Sequence, residues 1–336
     1  MSFKRFDQED IVISAESITA PAWSDNQPTL TNKYTKDTQK NSEQGKYFFN
    51  VYDKIQSDDT AAIQFSVAYG HLDGLGSTPL DAGVPGVSPS SIIYKQYRTL
   101  INGTEETNLQ FGGYESDSIW VIAVERARFK EKLLPGSLTL NIDGSLVLTD
   151  NSNYASTTVF SDAGRVYQLI SGSAGVKNSS KNSDGYTTAS GSYGMFLPDA
   201  GLIILSGLAL EQSPTYGGMS LVATDSISVG NQKDNLQTIF DALNGHEFTL
   251  RSEETVSSNY VFIRARNSEF NYSTNPSNIT GSGELRHSVM IDTPQAYITA
   301  VGLYNDNNDL LAVAKLSRPL LKDHTKESLI RVKLDY

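Results

Sequence analysis

The sequence predicts an α+β, β-rich fold with mixed and antiparallel sheets, two short amphipathic helices and a β insertion. Three observations carry this expectation. Of 336 residues, 17 are Tyr, 13 Phe and 26 Gly, a composition that favours strands and tight turns over long helices. Alternation with a period of two recurs and is clearest in Ser328–Tyr336. There Ile330, Val332 and Leu334 share one face, and Arg331, Lys333 and Asp335 take the other. Helical spacing is confined to two stretches.

In chain order, Ile11–Ala15 and Tyr47–Tyr52 are short strand candidates. The polar stretch Pro21–Lys46 between them holds too few large apolar residues to bury itself, so it reads as an arm that gains order on a partner surface. Ala61–Tyr69 places Ile63, Phe65, Val67 and Tyr69 on one strand face, and Gly70–Val87 follows as a Gly/Pro-rich loop. Ser88 and Pro89 supply an N-cap and a first helical residue. Ile93, Tyr97, Leu100 and Ile101 form that helix's apolar stripe, and Asn102-Gly103 ends it. Ile119–Val124 reads as a buried strand. Leu138–Ile142 and Leu146–Thr149 read as a hairpin around Asp143-Gly144, residue types that accept left-handed backbone angles.

Strands Val166–Ile170, Tyr193–Leu197 and Leu202–Leu205 surround Ser171–Ser192, whose Ser, Gly and Asn content marks an exposed loop. The second helix, Asp234–Leu243, stacks Leu236, Ile239, Phe240 and Leu243. Tyr260–Ala265 resumes the sheet, and Ala296–Tyr304 with Leu310–Leu316 form a hairpin closed by Asn305–Asp309. The expected organisation is an N-terminal arm over residues 1–56, a main β-rich domain over 57–149 and 229–336, and a small β insertion over 150–228.

A formal net charge of −11 and a pI of about 4.9 argue against nucleic-acid phosphates as the partner. One local exception is Ala314–Tyr336, where Lys315, Arg318, Lys322, Lys326, Arg331 and Lys333 face Asp323, Glu327 and Asp335. That tract reads as a solvated face or as a contact to an acidic subunit. The absence of cysteine excludes disulfides, thiolate metal sites and Cys nucleophiles. The opening MSFKRFDQED lacks the apolar core of a signal peptide, and no run approaches the roughly 20 apolar residues of a membrane span. The expectation is therefore synthesis in the cytoplasm without membrane insertion.

Catalytic grammar is sparse. His71, His246, His287 and His324 show no metal-ligand spacing, and Ser288 beside His287 has no Gly-x-Ser-x-Gly elbow. Asn305–Asp309 is rich in oxygens but lacks the Gly and Glu of a calcium loop. Gly112-Gly113 and Gly217-Gly218 are not followed by Lys-Ser/Thr, so no phosphate cradle is read there. Glu125–Lys132 mixes signs densely and reads as a solvated edge or, in the favoured reading, as an interface that sets register with a partner. No catalytic, cofactor-binding or metal-binding residue and no cofactor is assigned.

Several segments together are distinctive: FKRFDQEDIVIS, SSIIYKQYRTLI, WVIAVERARFKEKLLPGSLTL, YGMFLPDAGLIILSG, FIRARNSEFNYSTNP, GLYNDNNDLLAVAKLSRPL and IRVKLDY. In combination the chain resembles a family of virion structural proteins from T4-like contractile-tailed bacteriophages of marine and cyanobacterial hosts. The resemblance implies a non-enzymatic tail or baseplate component. Its partners would be other phage tail and baseplate proteins, in multiple copies per particle. It carries over no functional residue. A host-receptor or glycan-binding tail-fibre component is the alternative, with the 150–228 region as the binding part.

Overall fold

The structure is a computed structural model that describes residues 5, 16–21, 30, 33–35, 48–55, 57–79, 87–178, 185–226, 231–273 and 275–335. It is β-rich, with antiparallel sheets and four short helices among the described residues. The chain forms two compact units, one of residues 20–254 and the other of 1–19 with 255–336.

The larger unit is built on one 12-stranded sheet. Its path runs Phe248–Thr249, Thr139–Ile142, Leu146–Asp150, Gly164–Ser173, Gly194–Leu197, Leu202–Ser206, Ser118–Val124, Ile63–His71, Phe48–Tyr52 and Tyr34–Thr35. Neighbours on this path are antiparallel. This corrects the expected insertion. The strands of 150–228 occupy the middle of the sheet, bonded to Leu146–Asp150 on one side and Ser118–Val124 on the other. Polar loops between those strands gave the region its separate character, yet the backbone ladder does not see loop composition.

The sheet is apolar on both faces, which is why IWVIAV and LIIL read as unbroken runs instead of alternating ones. Phe65, Val67, Tyr69, Trp120, Ile122, Phe196, Ile203 and Leu205 point to one core. Ile119, Val121, Met195, Leu197 and Ile204 point to the other. Helix Asn231–Leu243 fills the first with Leu236, Ile239, Phe240 and Leu243, the stripe expected from sequence. Helix Pro89–Asn102 covers the second. Its Ser88 hydroxyl accepts from the Ser91 N–H, and Gly103 closes it at φ 67° with its N–H on Thr99 O.

The buried face of that helix matches expectation in part: Ile93 is buried and Tyr97 and Ile101 pack against the core. Ser90, Ser91, Tyr94 and Arg98 turn inward, while Leu100 and Ile101 are only half-buried. Two serines allow what bulky side chains would prevent: a Cβ on strand residue Gly70 would lie 2.8 Å from Tyr94 N. The helix backbone thus lies on the strand, and Tyr94 reaches past it to donate to Ser116 O and accept from Leu109 N–H.

Of the expected exposed loop Ser171–Ser192, the described residues are in part exposed and in part buried. Thr187, Ser190 and Ser192 are buried. Small hydroxyl residues fit because the Ser192 hydroxyl donates to Leu169 O or Gly194 O, and Thr187 Oγ1 donates to Gly191 O. Asp143 (φ 52°) and Gly144 (φ 65°) make the predicted tight turn.

Within the expected arm, Ile11–Ala15 lies outside the described residues. Most of Pro21–Lys46 lies outside the described residues; of the described part of 1–56, Phe49 and Val51 are core, and Leu30 is buried with its N–H on Phe248 O. Lys33 is buried too, and its ammonium donates to Leu243 O (2.8 Å) and to His246 O. It caps the C-terminus of helix Asn231–Leu243, where carbonyls lack intrahelical donors and the helix dipole favours a cation. Burial pushes the Lys33 ammonium down to about 8. Between about pH 8 and the ordinary lysine value of 10.5, the folded chain has lost a proton that the unfolded chain still holds, so this group makes stability rise with pH there. Urea unfolding at pH 7.5 and at pH 9.5, run in parallel on wild type and Lys33→Met, checks this. The wild type should gain stability relative to the variant as the pH rises.

In the smaller unit, Ser328–Asp335 pairs antiparallel with the strand Ser252–Ala265, from Ser258↔Asp335 to Ala265↔Ser328, and Glu16–Pro21 joins the same sheet. Ile330 and Val332 are buried and Leu334 packs against them, as the alternation predicts. Gln295–Tyr304 and Leu310–Asp323 form a separate two-stranded hairpin. It contributes Ile298, Val301, Leu303, Ala312 and Ala314 to the same core as Ile330 and Val332.

Candidate functional site

The residues weighed for chemistry are placed apart and used structurally. His71 ends a strand, buried, with Nδ1 accepting from the Asp73 N–H at 3.1 Å. His246 follows helix Asn231–Leu243 and lends its carbonyl to Lys33. His287 and His324 belong to the other unit, and Ser288 precedes the short helix Val289–Asp292 without bonding to it through its side chain. Among the described residues no cluster of three His, Asp or Glu side chains is arranged to hold a metal.

Asn305–Asp309 is a self-closed turn. Asp309 N–H donates to Asn305 Oδ1, Asn305 Nδ2 donates to Asp309 Oδ2, and Asn308 takes φ 64°. Gly112 and Gly113 make the turn between Gln110–Phe111 and Tyr114–Glu115. Gly217 caps a 3-10 turn at φ 93°.

The charged segment Glu125–Lys132 has its arginines engaged within the chain. Arg128 pairs with Asp53 at 2.8 Å and donates to Ile63 O. Arg126 donates to Phe129 O and lies 4.8 Å from the Phe129 ring centroid. These contacts tie strand ends together inside the unit. The basic tract 314–336 is similar. Lys322 is fully buried on Asn267 O, Asn271 Oδ1 and Asp323 O, and Arg331 stacks 5.3 Å from the Tyr260 ring centroid. Lys315 and Arg318 remain exposed, with no ionic partner among the described residues.

Sequence reasoning missed a partly buried ion cluster. Arg165 Nη2 meets Glu253 Oε2 at 2.6 Å and Asp199 Oδ1 at 2.7 Å, and the Arg165 N–H also donates to Asp199 Oδ2 at 2.7 Å. Gly164, at φ 96°, leaves the room: a Cβ there would lie 2.4 Å from Asp199 Oδ2. Burial alone would raise the Asp199 carboxyl, but the hydrogen bonds and charge of Arg165 outweigh it and hold it below its usual range. With both carboxylates held by one guanidinium, the cluster is a clamp between the sheet and the turn at Asp199. It is not poised for acid–base work.

It also missed a cleft of about 500 Å³ on the sheet face covered by helix Pro89–Asn102. Ala68, Val121 and Ala123 form its floor, Ile93 and Tyr97 one wall, and Phe48 and Ile92 its rim. Both rim residues are about half exposed, at 49% and 47%. The signal in sequence was the small size of Ala68 and Ala123 at strand positions where neighbours are large. Burial raises the Tyr97 hydroxyl above its ordinary value, so it stays neutral at an apolar wall. The cleft can hold an apolar side chain from a partner; it assembles no nucleophile and base.

No family model, curated protein or solved structure matches this chain. No helix among the described residues is long and apolar enough to cross a membrane.

Proposed function

We propose that this chain is a non-enzymatic structural subunit of a bacteriophage virion, most naturally of the tail baseplate, and that it works through protein–protein contacts. The observation that supports the contact role is the pairing of an apolar cleft with exposed large side chains at its rim, Phe48 and Ile92. Apolar pockets of this kind take the aromatic or aliphatic anchors that dominate interface energies. A second support is the hairpin of the smaller unit, which leaves Tyr297, Leu311 and Val313 exposed; exposed apolar groups gathered on one element mark contact surfaces. The virion and baseplate part of the reading rests on the segment resemblances, from FKRFDQEDIVIS to IRVKLDY.

The test is direct. Mass spectrometry of purified phage particles, and of tails and baseplates separated from them, should recover the chain in the baseplate fraction. Its absence from every tail-derived fraction overturns the reading.

A further inference from the structure

The hairpin's two strands treat their outer edges differently. Each has one edge bonded to the other strand, and the sheet is two-stranded, so both outer edges are open among the described residues. An open edge presents unpaired N–H and C=O groups and invites another strand unless charge, proline or a bulge blunts it. Leu310–Asp323 carries all three blunting devices. Lys315 and Arg318 are exposed, Pro319 lacks an N–H, and the register with Gln295–Tyr304 breaks between Ile298 and Ala300, opposite residues 316–319.

The other strand carries none. Gln295–Leu303 (QAYITAVGL) contains no charged residue and no proline, and Gln295, Tyr297, Thr299, Ala300 and Gly302 are exposed. The face beside this edge is apolar, with Tyr297 65%, Leu311 67% and Val313 61% exposed.

We infer that the open edge Gln295–Leu303 pairs antiparallel with the same strand of a second copy of this chain, joining two hairpins into one sheet across a two-fold axis. Charge selects this occupant. An uncharged edge meets its own copy without like-charge repulsion, whereas Leu310–Asp323 against itself would oppose Lys315 and Arg318 to their equals. Pairing of the open edge with the blunted one would be interrupted at Pro319 and would run head-to-tail without closing. Self-pairing of one edge is isologous and closes at two. The exposed faces of the two hairpins then become continuous in one four-stranded sheet.

The edge contact stands on hairpin geometry alone. A chain present in baseplates yet monomeric defeats only the edge contact, and a dimer absent from particles defeats only the virion reading.

The experiment uses the full chain in light scattering after size exclusion, at several micromolar concentrations. The wild type should approach twice 36.7 kDa as concentration rises. Tyr297→Lys combined with Thr299→Lys places lysines on the open edge and should halve that mass. Leu311→Lys combined with Val313→Lys puts the same charges on the blunted strand and should leave the dimer intact. Hydrogen exchange on the wild type supplies a readout free of folding effects: amides of 295–303 should lose protection on dilution while those of 310–323 do not change. A monomeric wild type, or no dilution-dependent exchange at 295–303, overturns the inference. So does a dimer lost with the Leu311 and Val313 substitutions but kept with those at Tyr297 and Thr299.

Discussion

Replacing Trp120 with alanine should lower the unfolding free energy by about 3–5 kcal/mol, the range for removing a large aromatic side chain from a packed core. Trp120 is 1% exposed, its ring lies 5.7 Å from that of Tyr69, and its Nε1 donates to Asn235 O. It therefore joins the centre of the sheet to helix Asn231–Leu243 through both packing and a hydrogen bond. Loss of the side chain leaves a void between two elements that are each held by other contacts, so the surroundings close over it only in part. Urea denaturation read by far-UV circular dichroism measures the change. Trp120→Phe keeps most of the packing and should cost distinctly less, and equal losses for the two variants would count against this account.

Arg165→Met should cost about 3–5 kcal/mol, because it leaves the almost fully buried Glu253 carboxylate without its cation. The magnitude reflects the stranded charge more than the worth of the cluster. Replacing Arg165 and Glu253 together by Met should accordingly cost less than Arg165→Met alone, a result that unfolding of the single and double variants decides. Acid gives an independent check. The folded Asp199 carboxyl lies below its ordinary value of 3.8, so its contribution is present above that pH and is lost as the pH falls through the folded value. In Arg165→Met this part of the acid sensitivity should vanish, since the guanidinium that lowers the carboxyl is gone.

Local signals in the sequence were strong where a few neighbouring residues decide the outcome. Ser88-Pro89 and Asn102-Gly103 bounded a helix to the residue, because caps depend on side chains and backbone angles within one turn. Asp143-Gly144 and Asn305–Asp309 predicted their turns for the same reason. The stripe Leu236, Ile239, Phe240 and Leu243 named the buried face of the second helix, as the face contacts a broad core that any bulky apolar stripe can fill. The first helix was read only in part: Ile93 is buried and Tyr97 and Ile101 pack on the core as expected, but Ser90, Ser91 and Arg98 were missed because close approach to Gly70 sets that side.

The candidate site was less legible. The cleft exists because Ala68 and Ala123, 55 residues apart in the chain, sit diagonally across two paired strands under one helix, and Arg165 finds Asp199 and Glu253 only once three distant segments meet. Similarly, Lys33 looked like part of a polar arm until the fold set it against the carbonyls of Leu243 and His246.

What the amino-acid sequence by itself determined was the β-rich class, most strands, both longer helices, their caps and the tight turns. Those depend on periodicity and on backbone angles that each residue type tolerates. Only the tertiary structure decided that 150–228 lies within the main sheet, which residues line the cleft and that the hairpin pairs with no further strand among the described residues. These are properties of strand order and register, and the hydrogen bonds that set them join backbone groups whose chemistry is nearly the same at every residue.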